Sequence, residues 1–455
     1  MSGRARRALA ALGSSVARAA LALVVAGAAA PASAAAQAAC PGCVVAGAGK
    51  VPLTVPAGTP LAGYGGFPRR LVVPDLLDLY PHAFWFRPGK AERDTLAARA
   101  LVLERDGTRF VWVSVDLLAV DRAFTESVAT QLAREGARPG ALVVSASHTH
   151  SGPGAFVDSA LMGVLATDRE DAAVRDALVE AVVGAVRRAD AARGPARVAI
   201  GTANAPAVVR SRLGQPLDPE VTVLAVRRMT GAPVALVWNF AIHGTMLGAK
   251  NLRLSADVMG AASEALEHAI GAPALFVNGA VGDVSPAQHG SRALGEVAAT
   301  LADAARAAWE SATPLGAGRF VTHTITVSLP APRLSLRNCL GGWAPRAITL
   351  PLDGAFPTET TLTAAALGDT AWVALPGEPA TALGLRIKAE GRRLFRHAFV
   401  AGVSNDYLGY FVTAADYARP GYVTCSSVYG AETGDRLAER AVALLRALRT
   451  GGRGR

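Results

Sequence analysis

Residues 142–154 read LVVSASHTHSGPG, an apolar run that passes through small residues to His148, Thr149 and His150 and is then broken by Gly152, Pro153 and Gly154. The run predicts a buried strand, and the glycines and proline predict a tight loop after it. If the extended conformation persists through the motif, the period of two puts both imidazoles on one face with Thr149 opposite. Two imidazoles at a strand end suit a metal or a proton relay, because neutral histidine ligates zinc and titrates near neutrality.

Four other apolar runs end in the same kind of chemistry. ALVWNFAI leads into His243 and Gly244, ALFVNGAVGDVSP carries Asp283 and Ser285, WVALPGEP carries Glu378, and FVAGVSNDYLGY ends in Tyr407 and Tyr410. The carboxyl ends of strands are where open α/β sheets bind ligands. If these strands are parallel neighbours, His148, His150, His243, Ser285, Glu378 and Tyr410 converge. Each also has a quieter reading. His243 sits among apolar residues, where histidine is usually a hydrogen-bonded core residue; Ser285 before Pro286 suits a turn or helix cap; Tyr410 and Tyr422 suit packing. Neither an HExxH helix nor a GxSxG elbow is present, which excludes the usual zinc-peptidase and α/β-hydrolase presentations.

The elements that must hold these residues alternate. Apolar runs at 98–103, 110–115, 142–144, 234–240, 274–277, 371–375 and 398–403 predict strands, and alanine-rich amphipathic stretches at 125–135, 172–189, 258–269, 292–312, 380–390 and 434–448 predict helices. The fold class expected is α/β, with mixed sheets flanked by helices. A single large catalytic domain is placed over residues 45–450, its active site at the carboxyl ends of strands. Residues 319–352, with alternation in THTITVSL and several prolines, predict an antiparallel extension or a covering loop. Residues 451–455 form a basic tail.

The first 36 residues predict an export leader. Arg4, Arg6, Arg7 and Arg18 precede an apolar run, and Ala32-Ser33-Ala34 offers a small-residue cleavage site. Periplasmic or secreted localisation follows, with envelope association as an option. The formal net charge is +10, partly from the leader arginines, and no dense Lys/Arg stripe with interleaved aromatics is present. Nucleic-acid binding is therefore not expected, and contact with an anionic envelope surface is. Cys40, Cys43, Cys339 and Cys425 allow three disulfide pairings. Oligomeric state is left open.

Taken together, HTHSGPG from His148, NFAIHGT from Asn239, GDVSP from Gly282, PGE from Pro376, and the tyrosines of SNDYLGYFVT and RPGYVTCSSVYG resemble the neutral/alkaline ceramidase family, zinc amidases that cleave the N-acyl bond of ceramide. The resemblance covers roughly residues 51–448 and leaves no counterpart for the family's C-terminal immunoglobulin-like domain. It implies one Zn²⁺ per chain held by His148, His243, Glu378 and Tyr410. It implies Ser285 as nucleophile, His150 as proton acceptor and donor, and Tyr422 as an oxyanion donor. Arg210 in VVRSR corresponds to the catalytic arginine, with Arg212 as a nearby rival. The implied substrate is ceramide or another N-acyl lipid.

Ala287 stands where an asparagine commonly follows GDVSP, and Ala155-Phe156, the SADVMG segment and the surroundings of Tyr422 also differ from the family pattern. These differences fall beside the site, where they would reshape an acyl or headgroup pocket. An N-acyl amino acid is the nearest other substrate. The reading from a different class is an exported lipid-binding protein with a structural zinc.

Overall fold

Glycine and alanine decide how closely helices approach the first sheet. In the strand Cys43–Pro52, Gly47 and Gly49 project to the same side, and a Cβ on either would lie 2.1 Å from Ala189 O or 2.4 Å from Ala185 O of the helix Ala172–Ala191. Only glycine allows that contact. The computed structural model describes Cys40 and residues 42–137, 139–205, 207–345 and 347–450, and those from 42 onward belong to one compact unit. The leader and the tail expected from sequence lie outside the described residues.

The larger sheet has nine strands. Their order is Ala141–Ala146, Thr108–Val115, Ala97–Arg105, Cys43–Pro52, Gly194–Asn204, Glu220–Arg228, Pro233–Phe240 and Ala274–Asn278, with Thr313–Pro314 paired to Gly194–Asn204. Only the terminal pairs of this path are parallel. A second sheet orders Phe320–Ser328, Glu359–Leu367, Thr370–Ala374 and His397–Ala401, the last two parallel. The fold is thus mixed α/β. The stretch around 319–352 supplies one strand of the second sheet and the small ladder Arg333–Ser335 with Thr349–Pro351.

Aromatic side chains fill the seam between the sheets. Trp112 of the first stacks on Trp372 and Phe399 of the second, with ring centroids 5.6 and 6.2 Å apart. Each buried aromatic removes a large apolar surface from water and holds the sheets face to face.

The site strands are not neighbours in one parallel sheet, which corrects the simplest sequence-based picture. Ala141–Ala146 and Ala274–Asn278 are opposite ends of the same path, and the path curls until they meet. Ser114 Oγ donates to Phe276 O, and Asn278 Nδ2 donates to Ser147 O at 3.3 Å. The second sheet joins at the same place: Asn239 Nδ2 donates to Val400 O at 2.9 Å, and Val144 N donates to Asn405 Oδ1 at 2.7 Å. Buried polar groups must be paired, and here the pairing ties together the carboxyl ends of strands from both sheets.

Cys339 and Cys425 form a disulfide across 86 residues, resolving that part of the pairing. Closing a loop of this length restricts the unfolded chain, an effect typically of about 2–4 kcal/mol. A protein carrying Cys339→Ser and Cys425→Ser is expected to melt several degrees lower by calorimetry, and an unchanged melting temperature would remove the disulfide from the stabilising contacts.

Candidate functional site

His148 leaves the strand in a left-handed conformation, φ 70°. The extended period therefore does not run through the motif as the sequence suggested. The two rings meet regardless, with centroids 4.9 Å apart, while Thr149 turns away and donates to Ser255 O at 2.7 Å. A non-glycine residue in this region costs of order 1–3 kcal/mol, and such strain collects at functional sites. His148 Nδ1 lies 2.7 Å from Leu118 O, and His150 Nδ1 lies 3.0 Å from Gly63 O. A carbonyl can only accept, so both rings donate from Nδ1 and leave Nε2 for the site.

His243 follows the strand Pro233–Phe240, and its loop passes beneath the histidine turn. Gly244 bridges to Thr149, and a Cβ there would lie 2.7 Å from His148 O. The loop's further course is held by Asp257, the buried carboxylate of SADVMG, which accepts from the backbone N–H groups of Met246, Leu247 and Val258 at 3.2, 3.3 and 2.8 Å.

Two short ladders deliver the remaining groups. Val284–Pro286 pairs antiparallel with Val209–Ser211, and Glu378–Pro379 pairs parallel with Tyr410–Phe411 so that Glu378 lies directly beside Tyr410. Asp283 of GDVSP joins the two. Its Oδ1 accepts from Thr381 N and Oγ1 at 2.7 and 2.8 Å, at the start of the helix Thr381–Arg392, and its Oδ2 accepts from Ser211 Oγ at 3.0 Å.

The polar atoms then converge. Glu378 Oε1 lies 3.4 Å from His148 Nε2, Glu378 Oε2 lies 3.0 Å from His243 Nε2, and Tyr410 OH lies 3.5 Å from the same Nε2. Yet His148 Nε2, His150 Nε2 and Glu378 Oε2 are buried without a hydrogen-bond partner. Burial, reinforced by the Arg212 charge, lowers His243 to about 3, so the ring is neutral. Burial opposes ionisation of Glu378, but His148 and His243 outweigh it and hold the carboxyl well below its usual range. Imidazole nitrogens gathered around a carboxylate are a donor set for a cation. Four ligands at about 2.0–2.1 Å from a tetrahedral ion stand about 3.3 Å from one another, and the three separations here match that spacing. His150 belongs to a second possible set, since the nitrogens of His148, His150 and His243 all lie within 4.8 Å of one another. The residues fit a divalent ion.

Ser285 Oγ accepts from Arg212 Nε at 2.6 Å, and Arg212 also donates to Tyr410 OH at 3.3 Å. Arg210, the residue favoured from sequence, is exposed although it is Ser285's backbone partner in the ladder. The structure thus brings the rival arginine to the site: Arg212 follows the ladder, its N–H donating to Asp283 O, and its side chain reaches inward. Tyr422 stands at the opening, 67% exposed, its ring 5.7 Å from that of Tyr410. Ser285 Oγ is taken by Arg212, and no hydrogen bond links it to His150 among the described residues.

Several participants were given no role from sequence, although Tyr407 and Asp283 were noted at strand ends. Tyr407 OH donates to Glu378 Oε1 at 2.7 Å, Arg69 donates to His150 O at 2.6 Å, and the Tyr64 ring lies 5.2 Å from that of His150. Asp283 carried a signal, a carboxylate inside GDVSP just before a helix-starting segment. Tyr64 and Arg69 carried none, because they lie some 80 residues from the histidines they support.

Residues 89–300 match the family model of neutral/alkaline non-lysosomal ceramidase, N-terminal. Neutral ceramidase of Pseudomonas aeruginosa is 29% identical over 213 residues, and neutral ceramidase A of Dictyostelium discoideum is 29% identical over 223. Each match takes in 42% of this chain and 31% of the relative, so the aligned stretch spans about a third of the curated relatives' length. Among solved structures, neutral ceramidase from Pseudomonas aeruginosa aligns with TM-score 0.77 and 22% identity, covering 90% of this chain and 74% of that one. A ceramidase complexed with C2 aligns with TM-score 0.77 and 20% identity, covering 90% and 75%. These structures share the fold.

Proposed function

We propose that the chain, whose residues 89–300 match the neutral/alkaline non-lysosomal ceramidase model, hydrolyses the N-acyl amide bond of ceramide or a related N-acyl lipid, releasing a fatty acid and a free amine. The observation that carries this reading is the buried Glu378 carboxylate beside two imidazole Nε2 atoms, next to a serine hydroxyl held by an arginine. His148, His243 and Glu378 would hold zinc, with Tyr410 as the fourth donor. Bound there, the ion would polarise the amide carbonyl and stabilise charge on its oxygen.

The chain's own groups supply the rest. Addition to the carbonyl carbon frees a proton from the attacking O–H. His150 Nε2 is placed to take it, because Gly63 O occupies Nδ1 and burial, together with His148 and His243, keeps the ring neutral. Breaking the C–N bond requires a proton on the leaving nitrogen, and His150 returns the one it received. Negative charge develops on the carbonyl oxygen only after addition. Tyr422 and Arg212, standing beside Tyr410, are donors for it, and groups aimed at developing charge lower the barrier. Arg212 also fixes the orientation of Ser285.

We place this activity outside the cytoplasm. The leader pattern in the first 36 residues and the Cys339–Cys425 disulfide both support an oxidising compartment. Among the described residues no helix is long and apolar enough to cross a membrane. The test is fatty-acid release by the purified protein from ceramides, other N-acyl lipids and N-acyl amino acids, with and without a zinc chelator. Chelator-sensitive release from ceramide is expected. Release from N-acyl amino acids alone would replace the substrate, and no release by folded, zinc-loaded protein would favour a binding role.

A further inference from the structure

We propose that the excursion formed by residues 67–86 is a membrane-docking lip that seats the active-site mouth on a lipid bilayer; this rests on the lipid-amidase reading above. Its stem is a paired hairpin. Leu71 N donates to Trp85 O, Arg87 N to Arg69 O, and Arg70 bridges Phe86. The buried Asp168 carboxylate gathers the N–H groups of Phe84, Trp85 and Phe86 beneath it. The tip is equally built. Asp75, buried, accepts from Leu79 N at 3.0 Å and Tyr80 N at 2.7 Å and so fixes the turn.

What this ordered tip presents outward is mainly aliphatic, with Asp78 the carboxylate exposed among residues 76–80. Val72 is 88% exposed and Leu77 79%, with Val73, Leu76 and Leu79 also exposed. Apolar side chains left in water by a well-paired backbone mark an interaction surface.

Three observations select a bilayer as the occupant. The first is where the stem is rooted. Arg69 holds His150 O and Tyr64 packs on the His150 ring, so the tip is continuous with the lip of the site, and a lipid substrate entering there would come from whatever the tip rests on. The second is charge. Exposed Arg87 and Arg169 lie along the stem over the rings of Phe67 and Phe84, with centroid distances of 5.5 and 4.3 Å, a cationic collar behind an apolar tip that suits anionic headgroups. The third is a second apolar lobe at the same site. Trp343, 77% exposed, and Leu340 follow Cys339, whose disulfide anchors them to the helix Tyr422–Cys425, the helix that carries Tyr422. Indole side chains favour the membrane interface. Two loops distant in sequence thus present apolar groups, one rooted at His150 and the other anchored to the helix that carries Tyr422.

The test is co-sedimentation of the purified full chain with phosphatidylcholine vesicles, plain or doped with phosphatidylglycerol, alongside hydrolysis of vesicle-embedded and freely dispersed short-chain N-acyl substrates. The probes are Leu76→Ser/Leu77→Ser and, separately, Arg87→Gln/Arg169→Gln, all of which alter exposed side chains and should leave thermal melting unchanged. The wild type is expected to bind both vesicles, the doped ones more tightly. The leucine variant should lose about tenfold or more in partition and hydrolyse embedded substrate proportionately less, with dispersed substrate unaffected. The arginine variant should lose the preference for doped vesicles. No binding by the wild type, equal binding by the leucine variant, or a tip-dependent dimer in light scattering without vesicle binding would overturn the proposal. Tip-dependent binding with no hydrolysis of either substrate would uphold the docking lip and overturn only the amidase reading.

Discussion

Glu378→Gln protein is expected to purify without stoichiometric zinc and without amide hydrolysis, whereas His150→Gln protein should keep the metal and lose turnover. The contrast follows from where the two residues stand. The Glu378 carboxylate is the only group whose two oxygens lie 3.4 and 3.0 Å from the Nε2 atoms of His148 and His243 among the described residues, and it is the only negative charge in that cluster. Replacing it with a neutral amide removes the charge that a divalent ion needs. Loss of a group that merely supports a ligand already costs about 10- to 100-fold in affinity, and loss of the ligand should exceed that. His150 is tethered by Nδ1 to Gly63 O with its Nε2 unpartnered, as a proton carrier requires. General acid–base groups contribute about 10²–10⁴-fold in rate. Elemental analysis and single-substrate kinetics on both variants provide the check. Metal lost from His150→Gln and retained by Glu378→Gln would reverse the assignment and leave the three imidazoles as the ligand set.

Arg212→Gln is expected to cut kcat by about 10²–10³-fold, the range found when one preorganised donor to a developing oxyanion is removed. Arg210→Gln, two residues away, should stay within about twofold, as exposed substitutions usually do. Arg212 donates to both Ser285 Oγ and Tyr410 OH, and it would therefore serve the nucleophile and the electrophilic side of the reaction together. Arg212→Lys separates charge from geometry. A lysine restores the charge without the planar fork that reaches two oxygens, so only partial rescue is expected. Full activity of Arg212→Gln with a crippled Arg210→Gln would return the role to the residue first favoured from sequence.

That arginine also marks the boundary of what could be read without coordinates. VVRSR offers two guanidinium groups two residues apart, on the same face of an extended segment, and period alone cannot separate them. The separation comes from the partner: the strand Val209–Ser211 ends after Ser211, Arg212 N is fixed to Asp283 O, and one side chain turns inward while the other stays in solvent. The strand Cys43–Pro52 went unread for a different reason. Its glycines weaken the apolar alternation because a helix lies against them, and that helix begins 120 residues later.

Local composition was sufficient wherever a segment's own side chains settle its conformation. The helices rich in alanine, the apolar strands, the loop-forming glycines and prolines, and the polar residue waiting at each strand end are all written within a few positions of one another. Where those ends meet was decided elsewhere. His148 and His243 follow strands of the larger sheet, Ser285 comes from a three-residue ladder and Glu378 and Tyr410 from a two-residue one, and they converge because the larger sheet curls until its two ends hydrogen-bond. Curl and sheet-to-sheet packing are properties of the whole core, of Trp112 against Trp372 and Phe399 and of buried amides such as Asn239 and Asn278 that must each find a carbonyl. Pairing over such distances depends on which surfaces can be buried together, and no window of sequence contains both.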